Sequence, residues 1–366
     1  MSQKYRYHRG ALQLYREMIY WQLDLYAGKN IIAISNVRKV GVIELSTRAV
    51  KLLVGNSYML KKQGFDFDYF YRNGMLTHTG NAVLADGSIN VDVFKARVLP
   101  VLNIQISNAK KSMVTELYVV ATAVYRNAPN LKDIIDIIYK ETGMLVKVLN
   151  QEEEALATLT AIVYSNNGLK HMKKDLLMID QGGGSTEIIY WNRKQNQMAF
   201  HSIDMGTLDI RNNIMQNYAD KKSIKSVIFE ENTRLRKELH HKLKIGDYNS
   251  DRNIHCVGLG TAITRSTQKR GNKSQHGEVL TRKTVFENMM DTHHYLAEHY
   301  HQLGELKEQL IKEQNVRQGT NIEDLIVMRF GLSMFLEIMK NYNVYNLTVS
   351  GAGVWYGIYY QAWLFN

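Results

Sequence analysis

The chain has one cysteine, Cys256, and two prolines, Pro100 and Pro129, among 366 residues. A lone cysteine excludes an internal disulfide and any multi-cysteine metal site, so a reducing cytoplasm is the expected compartment. Cys256 falls inside the apolar run from Ile254 to Val257 and is read as an inert strand residue. No apolar stretch approaches the length of a membrane span, and Met1 to Gly10 is basic and aromatic with no apolar signal core. Neither a membrane span nor secretion is therefore expected. Acidic residues are the minority, 35 against 46 lysines and arginines, for a formal net charge of +11. That excess points to a polyanionic partner without choosing between nucleotide, polyphosphate, nucleic acid and acidic membrane surface. No helix-turn-helix, zinc module or basic tail is present, so no specific nucleic-acid role is expected.

The most informative stretch runs from Asp180 through Gln181, Gly182, Gly183, Gly184, Ser185 and Thr186 to Glu187. Leu176 to Ile179 reads as a buried strand and Ile188 to Tyr190 as the next one. Three consecutive glycines between them would let the backbone turn tightly and bring its N–H groups, those of Gly183 and Gly184 among them, against a polyanion. Ser185 and Thr186 add hydroxyl donors. Asp180 and Glu187 stand at the two ends of the turn, placed to hold a hydrated Mg²⁺ against the same phosphate. The competing reading is a plain glycine-rich hairpin turn with two incidental acids.

Residues 1–37 read as an extension. Leu14, Met18, Trp21 and Leu25 recur at helical spacing, which gives an amphipathic helix expected to pack on the body of the protein or on a second copy of the chain in a homodimer. The body opens with strands at Lys39 to Leu45 and Val50 to Tyr58 around a Ser46-Thr47-Arg48 turn. Helices are expected near Val91 to Ser107, Asn130 to Thr142 and Gln151 to Ser165, with strands at Leu117 to Ala121 and Met144 to Val148. The polar segment from Asn166 to Lys174 is the expected domain boundary, which divides the body into 38–167 and 168–366. After it the pattern restarts with a strand, the glycine turn, and strands to Ile203. Helices are expected at Thr207 to Tyr218, Ile224 to Leu243, Arg282 to Lys312 and Ile322 to Asn341. Further glycine turns follow the strands at Asn253 to Val257 and Tyr345 to Ser350, and a last helix is expected, with its return to the first half left open. Two halves of one pattern indicate a duplicated α/β fold.

Several segments, taken in order, resemble the exopolyphosphatase/guanosine pentaphosphate phosphohydrolase family. Asp180 to Glu187 is similar to its D-I-G-G-G-S-T-E run, and Ala121 to Asn130 to its A-T-x-A-x-R-x-A-x-N segment. Gln151-Glu152-Glu153-Glu154-Ala155 resembles its E-E-A helix start. His276 to Thr281 and Leu347 to Gly353 resemble later segments, so the likeness covers roughly residues 38–366. The resemblance implies an actin-like ATPase/sugar-kinase superfold: two ribonuclease-H-like domains with phosphate chains bound in a central cleft. It implies that Glu154 is the base activating water, that Arg126 binds phosphate, and that Asp180, Glu187 and Glu44 hold Mg²⁺ or its water shell. Gly183, Gly184, Ser185, Thr186, Gly260, Thr261, Thr47 and Arg48 would supply phosphate donors. Read without the resemblance, Glu154 is a helix N-terminal carboxylate that the macrodipole stabilises.

The first turn departs from the family. Where the pattern has I-D-x-G-S/T-N-S, this chain has Ile43-Glu44-Leu45-Ser46-Thr47-Arg48-Ala49. Glu44 reaches one methylene further than aspartate, Ser46 replaces glycine and Arg48 replaces asparagine. Val354-Trp355-Tyr356-Gly357 stands where G-L-R-E-G-like residues are usual, and the chain is similar in length to short, two-domain members. The leading expectation is a Mg²⁺-dependent hydrolase that releases terminal phosphate from inorganic polyphosphate or guanosine pentaphosphate, with guanosine tetraphosphate as a related ligand. The alternative, which the altered turn motivates, is a catalytically weak sensor of polyphosphate or nucleotide. A kinase or ATPase of the same superfold is a third.

Overall fold

The computed structural model describes residues 26–33, 37–56, 70–165, 174–193, 195, 197–243, 253–268, 276–313 and 322–364. The expected N-terminal amphipathic helix and nearly all of the boundary segment at 166–174 lie outside the described residues. The chain divides into two compact units. One comprises Met1–Met172 together with Ala352–Asn366, the other Lys173–Gly351. The sequence reading kept everything after residue 167 in the second domain apart from a possible return of the last helix; here residues 352–366 belong to the first unit.

The first unit holds strands β1 (Lys29–Ile31), β2 (Lys39–Leu45), β3 (Ala49–Asn56), β4 (Tyr71–Leu76), β5 (Glu116–Ala121) and β6 (Lys147–Val148). The sheet runs β4-β3-β2-β5, with β6 parallel and β1 antiparallel along the far side of β5. β2 and β5 are parallel, and β3 is antiparallel to β2. Its helices are α1 (Leu99–Lys111), α2 (Ala123–Arg126), α3 (Leu131–Thr142), α4 (Gln151–Tyr164) and, from the end of the chain, α11 (Val354–Leu364). A π-helical run, Phe94–Val98, leads into α1.

The central strands are apolar on both faces because both faces are covered. Ile43, Leu45, Leu52 and Val119 join a core with Leu102 and Ile106 of α1 and Ile134 and Ile138 of α3. Val40, Val42, Leu53 and Tyr118 join another with Ala157 and Ala161 of α4 and Tyr356 and Tyr359 of α11. α4 and α11 approach so closely that a Cβ on Gly357 would meet the carbonyl oxygen of Ala157. Only a residue without a side chain fits there.

The second unit repeats the plan. Its strands are β7 (Asp175–Gln181), β8 (Thr186–Asn192), β9 (Gln197–Ile203), β10 (Ile254–Gly260), β11 (Val279–Thr281) and β12 (Asn346–Val349). They run β9-β8-β7-β10-β12-β11, with β7, β10 and β12 parallel. In both sheets one strand, β2 in the first and β7 in the second, has its hairpin partners on one side and the later parallel strands on the other. This shared order is that of the ribonuclease-H-like domain, and its duplication makes an actin-like α/β fold. The helices are α5 (Thr207–Asn217), α6 (Ile224–Lys242), α7 (Thr261–Gln268), α8 (Arg282–His299), α9 (Leu303–Glu313) and α10 (Ile322–Asn341). α10 is buried along almost its whole length and shares one core with Leu177, Ile179 and Ile188 of the sheet.

Three differences from the sequence reading have simple causes. The helix expected from Arg282 to Lys312 breaks at 300–302. There the backbone pairs with residues 222–224, and the Glu305 carboxylate accepts from the His301 N–H to start α9. β4 and β11 were not anticipated, being a polar edge strand and a three-residue strand. β1 fell inside the supposed extension but pairs with β5.

Candidate active site

In each unit the candidate residues gather where parallel strands end, the edge at which open α/β sheets bind ligands. In the first unit β2 ends at the Ser46-Thr47-Arg48 turn and β5 at Thr122. The turn is closed by Ser46, whose N–H and hydroxyl both donate to the Ala49 carbonyl at 2.9 Å. Thr47 is buried, Arg48 partly so, and the backbone carbonyls of both accept from the 77–80 segment.

Arg126 ends the short helix α2, and Glu154 lies in the first turn of α4. An Asn150–Glu153 capping box fixes that turn: the Glu153 N–H donates to Asn150 Oδ1 and the Asn150 N–H to the Glu153 carboxylate, both at 2.8 Å. Capping leaves the next side chain, Glu154, pointing at Arg126. Arg126 Nη1 donates to Glu154 Oε2 at 2.7 Å and to the Leu149 carbonyl at 3.0 Å. Its Nε and Nη2 are buried and have no hydrogen-bond partner among the described residues. A guanidinium is a five-donor fork suited to phosphate, and here half of the fork is unspent.

Glu44 is buried on β2, facing α4 and α11, and its Oε1 accepts from Lys51 Nζ of β3 at 2.9 Å. The Lys51 ammonium also lies 5.8 Å from the Trp355 ring. Glu44 Oε2 is buried with no hydrogen-bond partner among the described residues.

In the second unit Asp180 and Glu187 are direct cross-strand partners on β7 and β8. Ile179 and Ile188 turn into the core, so by alternation Asp180 and Glu187 share the opposite face. Ser202 of β9 is next in line and donates to Glu187 Oε1 at 3.4 Å. Gly182, Gly183 and Gly184 form the turn between the strands, closed by the Gly182 N–H on the Ser185 carbonyl at 2.9 Å. These three are not among the glycines with positive φ. Their role is close approach: a Cβ on Gly206 would strike Gly183, and the N–H groups of Thr207 and Leu208 donate to the Gly182 and Gly183 carbonyls at 3.1 and 2.8 Å. The start of α5 thus clasps the back of the turn, and Thr186 Oγ1 donates to the Met205 carbonyl at 2.9 Å.

Two more turns meet the same sheet edge. Gly260, at φ 111°, joins β10 to α7, and a Cβ there would strike the Gln181 carbonyl, so both conformation and space demand glycine. Thr261 opens α7. Ser350 and Gly351 follow β12, and the Gly351 N–H donates to His276 Nδ1 at 3.2 Å. The fold therefore brings Gly183, Gly184, Ser185, Thr186, Gly260 and Thr261 to one edge, and Arg126, Glu154, Thr47, Arg48 and Glu44 to the matching strand ends of the other unit.

The sequence reading missed the Met205-Gly206-Thr207 clasp and Arg211, which is buried one turn further along α5. Burial draws the Arg211 guanidinium below its ordinary pKa, and the charge of Glu323 opposes that. The signal was available: Gly206 precedes a helix whose third residue is Asp209, a helix-start pattern, and Asp209 accepts from the Gly206 N–H at 2.9 Å.

Among the described residues no cluster of three or more His, Cys, Asp and Glu side chains has the geometry of a metal cage. The opposed pair of Asp180 and Glu187 nevertheless fits Mg²⁺, which binds through one or two carboxylates and keeps water or phosphate oxygens for its remaining positions.

Known structures share this fold. The Aquifex aeolicus PPX-GPPA enzyme superposes with a TM-score of 0.61 at 20% identity, covering 88% of this chain and 99% of that one. An exopolyphosphatase from Cytophaga hutchinsonii superposes with a TM-score of 0.68 at 18% identity, covering 89% and 97%. The profile of the Ppx/GppA phosphatase family matches residues 61–364. With that match over most of its length, the chain belongs to the Ppx/GppA phosphatase family.

Proposed function

We propose that the protein is a Mg²⁺-dependent phosphoanhydride hydrolase that releases terminal phosphate from inorganic polyphosphate or guanosine pentaphosphate. The observation that carries this reading is the Arg126–Glu154 pair, in which the guanidinium keeps Nε and Nη2 unspent. A terminal phosphate that takes those donors shares the guanidinium with Glu154 and draws off part of its charge. The carboxylate is then available to accept a proton from water as the water oxygen bonds to phosphorus. The bridging P–O bond breaks, its electrons stay with the shortened chain, and inorganic phosphate leaves. Gly183, Gly184, Ser185 and Thr186, with Gly260 and Thr261, supply neutral donors to phosphate oxygens. Asp180 and Glu187 would hold the magnesium, which would neutralise phosphate charge. Mechanistically the protein supplies position and charge more than covalent chemistry.

One observation favours a second reading. Lys51 already engages Glu44, in the turn that departs from the family pattern, so a chain that binds the same ligand without turning it over is the alternative. Phosphate release with Mg²⁺ from long-chain polyphosphate and from guanosine pentaphosphate, wild type against Glu154→Ala, separates the two. Turnover that the variant loses by at least a hundredfold supports the hydrolase. Binding with no release from either substrate, unchanged in the variant, supports the sensor. Under either reading the expected compartment is the cytoplasm.

A further inference from the structure

A groove of about 470 Å³ lies in the second unit at the start of β12, on the opposite side of the sheet's strand ends from the glycine turns. β12 runs from Asn346 towards Ser350, so its four residues set the two regions about 13 Å apart along the strand. The floor is Leu336 of α10. Two large aromatic side chains stand in water beside it: Phe286 of α8 is 50% exposed and Tyr345 60% exposed. Nothing in the phosphate site uses either ring.

Three cations share the lining, and no carboxylate does. Arg282 lies one helical turn before Phe286 on α8, its N–H donating to the Tyr345 carbonyl at 2.7 Å and its guanidinium 4.5 Å from the Tyr345 ring centroid. That hydrogen bond ties the start of α8 to the strand and fixes the arginine over the ring. Lys340 lies one turn after Leu336 on α10, and Lys283 follows Arg282. Lys283 has a loose pair with Glu287 at 3.7 Å, and Lys340 Nζ donates to Glu337 Oε1 at 3.1 Å. Both lysines are exposed, and Glu337 is shared with Arg236. Exposed pairs of this kind are worth little and exchange readily for a ligand's anion.

Exposed rings beside an apolar floor select a flat apolar body, and cations on one side select a compact anion. We propose that this groove is a second ligand site that takes a nucleoside mono- or diphosphate, its base against Phe286 and Tyr345 and its phosphate on Arg282, Lys283 and Lys340. The size of the groove suits a ligand of this class. An acidic peptide would use the cations but has no need of two rings at one end.

The test is photolabelling of the full chain with 8-azidoadenosine monophosphate, followed by mass-spectrometric mapping, with equilibrium binding of adenosine monophosphate alongside. Label on the peptides holding Arg282 to Phe286 and Tyr345 is expected, with affinity falling at least fivefold in Phe286→Ala and in Lys340→Glu. Phosphate release, where the chain shows it, should be unchanged in both variants. Label confined to the glycine turns, label nowhere, or binding that neither variant weakens overturns the proposal. Displacement of the label by oligoglutamate as effectively as by nucleotide overturns the choice of ligand. Because labelling needs no turnover, the result stands apart from whether the chain is a hydrolase.

Discussion

Arg126 illustrates how one side chain can be both structural and receptive. Two hydrogen bonds from Nη1 hold it between the Leu149 carbonyl and Glu154, while two further nitrogens, Nε and Nη2, are buried without a partner among the described residues. Buried donors without partners cost about 1–3 kcal/mol each, so a ligand oxygen that fills them recovers energy the free protein forgoes. Lysine keeps the charge but loses the fork. Arg126→Lys should therefore weaken phosphate or polyphosphate binding by about tenfold or more while the melting temperature moves little, as calorimetric titration and thermal melting would show. An unchanged affinity would mean that the free half of the guanidinium does not face the ligand.

Glu116 gives a residue-scale prediction about pH. Burial pushes its carboxyl up, but hydrogen bonds from Arg38 and Lys29, the Arg38 charge and the Tyr118 hydroxyl outweigh burial and hold it at about 2. Arg38 meets it with two nitrogens at 2.7 and 2.8 Å. Its folded value lies below its unfolded value near 4.5, so the stabilisation is fully present above about 4.5 and disappears as pH falls towards 2. Discounted for solvent screening, on the order of 2–3 kcal/mol is involved at neutral pH. Urea unfolding of wild type and Glu116→Gln should show a gap at pH 7 that closes through this window. A gap independent of pH would show that the pair contributes shape rather than charge.

Among the elements, the pairing of α4 with α11 governs the first unit. α4 carries Glu154 at its start, and Gly357 lets α11 lie directly against the α4 backbone at Ala157. Gly357→Ala must push the helices apart, and overpacking of this kind costs about 1–3 kcal/mol or more. The expected result is a clear loss of thermal stability together with a weakened Arg126–Glu154 pair, read as a fall in turnover larger than Glu154's distance from the mutation suggests. A fully stable variant would show that the helices can separate freely.

This same element shows where sequence reading stops. The doubled strand–turn–strand pattern, the strand ends that carry the turns and the opposition of Asp180 to Glu187 follow from local alternation and a short turn, so they were legible. The return of α11 to the first half was open in the sequence reading, but the partners that Tyr356 and Tyr359 bury against, on strands of the first sheet, are set by long-range packing that no local pattern specifies. The glycine turn was read as a matter of backbone conformation. Its actual constraint is the start of α5 behind it, a contact between residues more than twenty positions apart. The break at 300–302 depends likewise on residues 222–224, far away in sequence.

For the whole molecule, each unit has its own buried core, and the first unit's is completed by the chain's last helix. Removing residues 352 onward should uncover Val40, Val42, Leu53 and Tyr118 on one sheet face. The expected product keeps the cooperative unfolding of the second unit, while the first exposes apolar surface and binds a hydrophobic dye. Retention of two native transitions in calorimetry would show that α11 is dispensable. The net charge of +11 acts at this scale too, by drawing polyanions in at low salt whichever site they finally occupy.

The route of the chain has a consequence for its synthesis. Residues 173–351, which form the second unit, leave the ribosome before the segment that covers one face of the first sheet. The half made first is thus finished last, and until then that sheet face, with α4 alone over it, leaves apolar side chains open to water during synthesis.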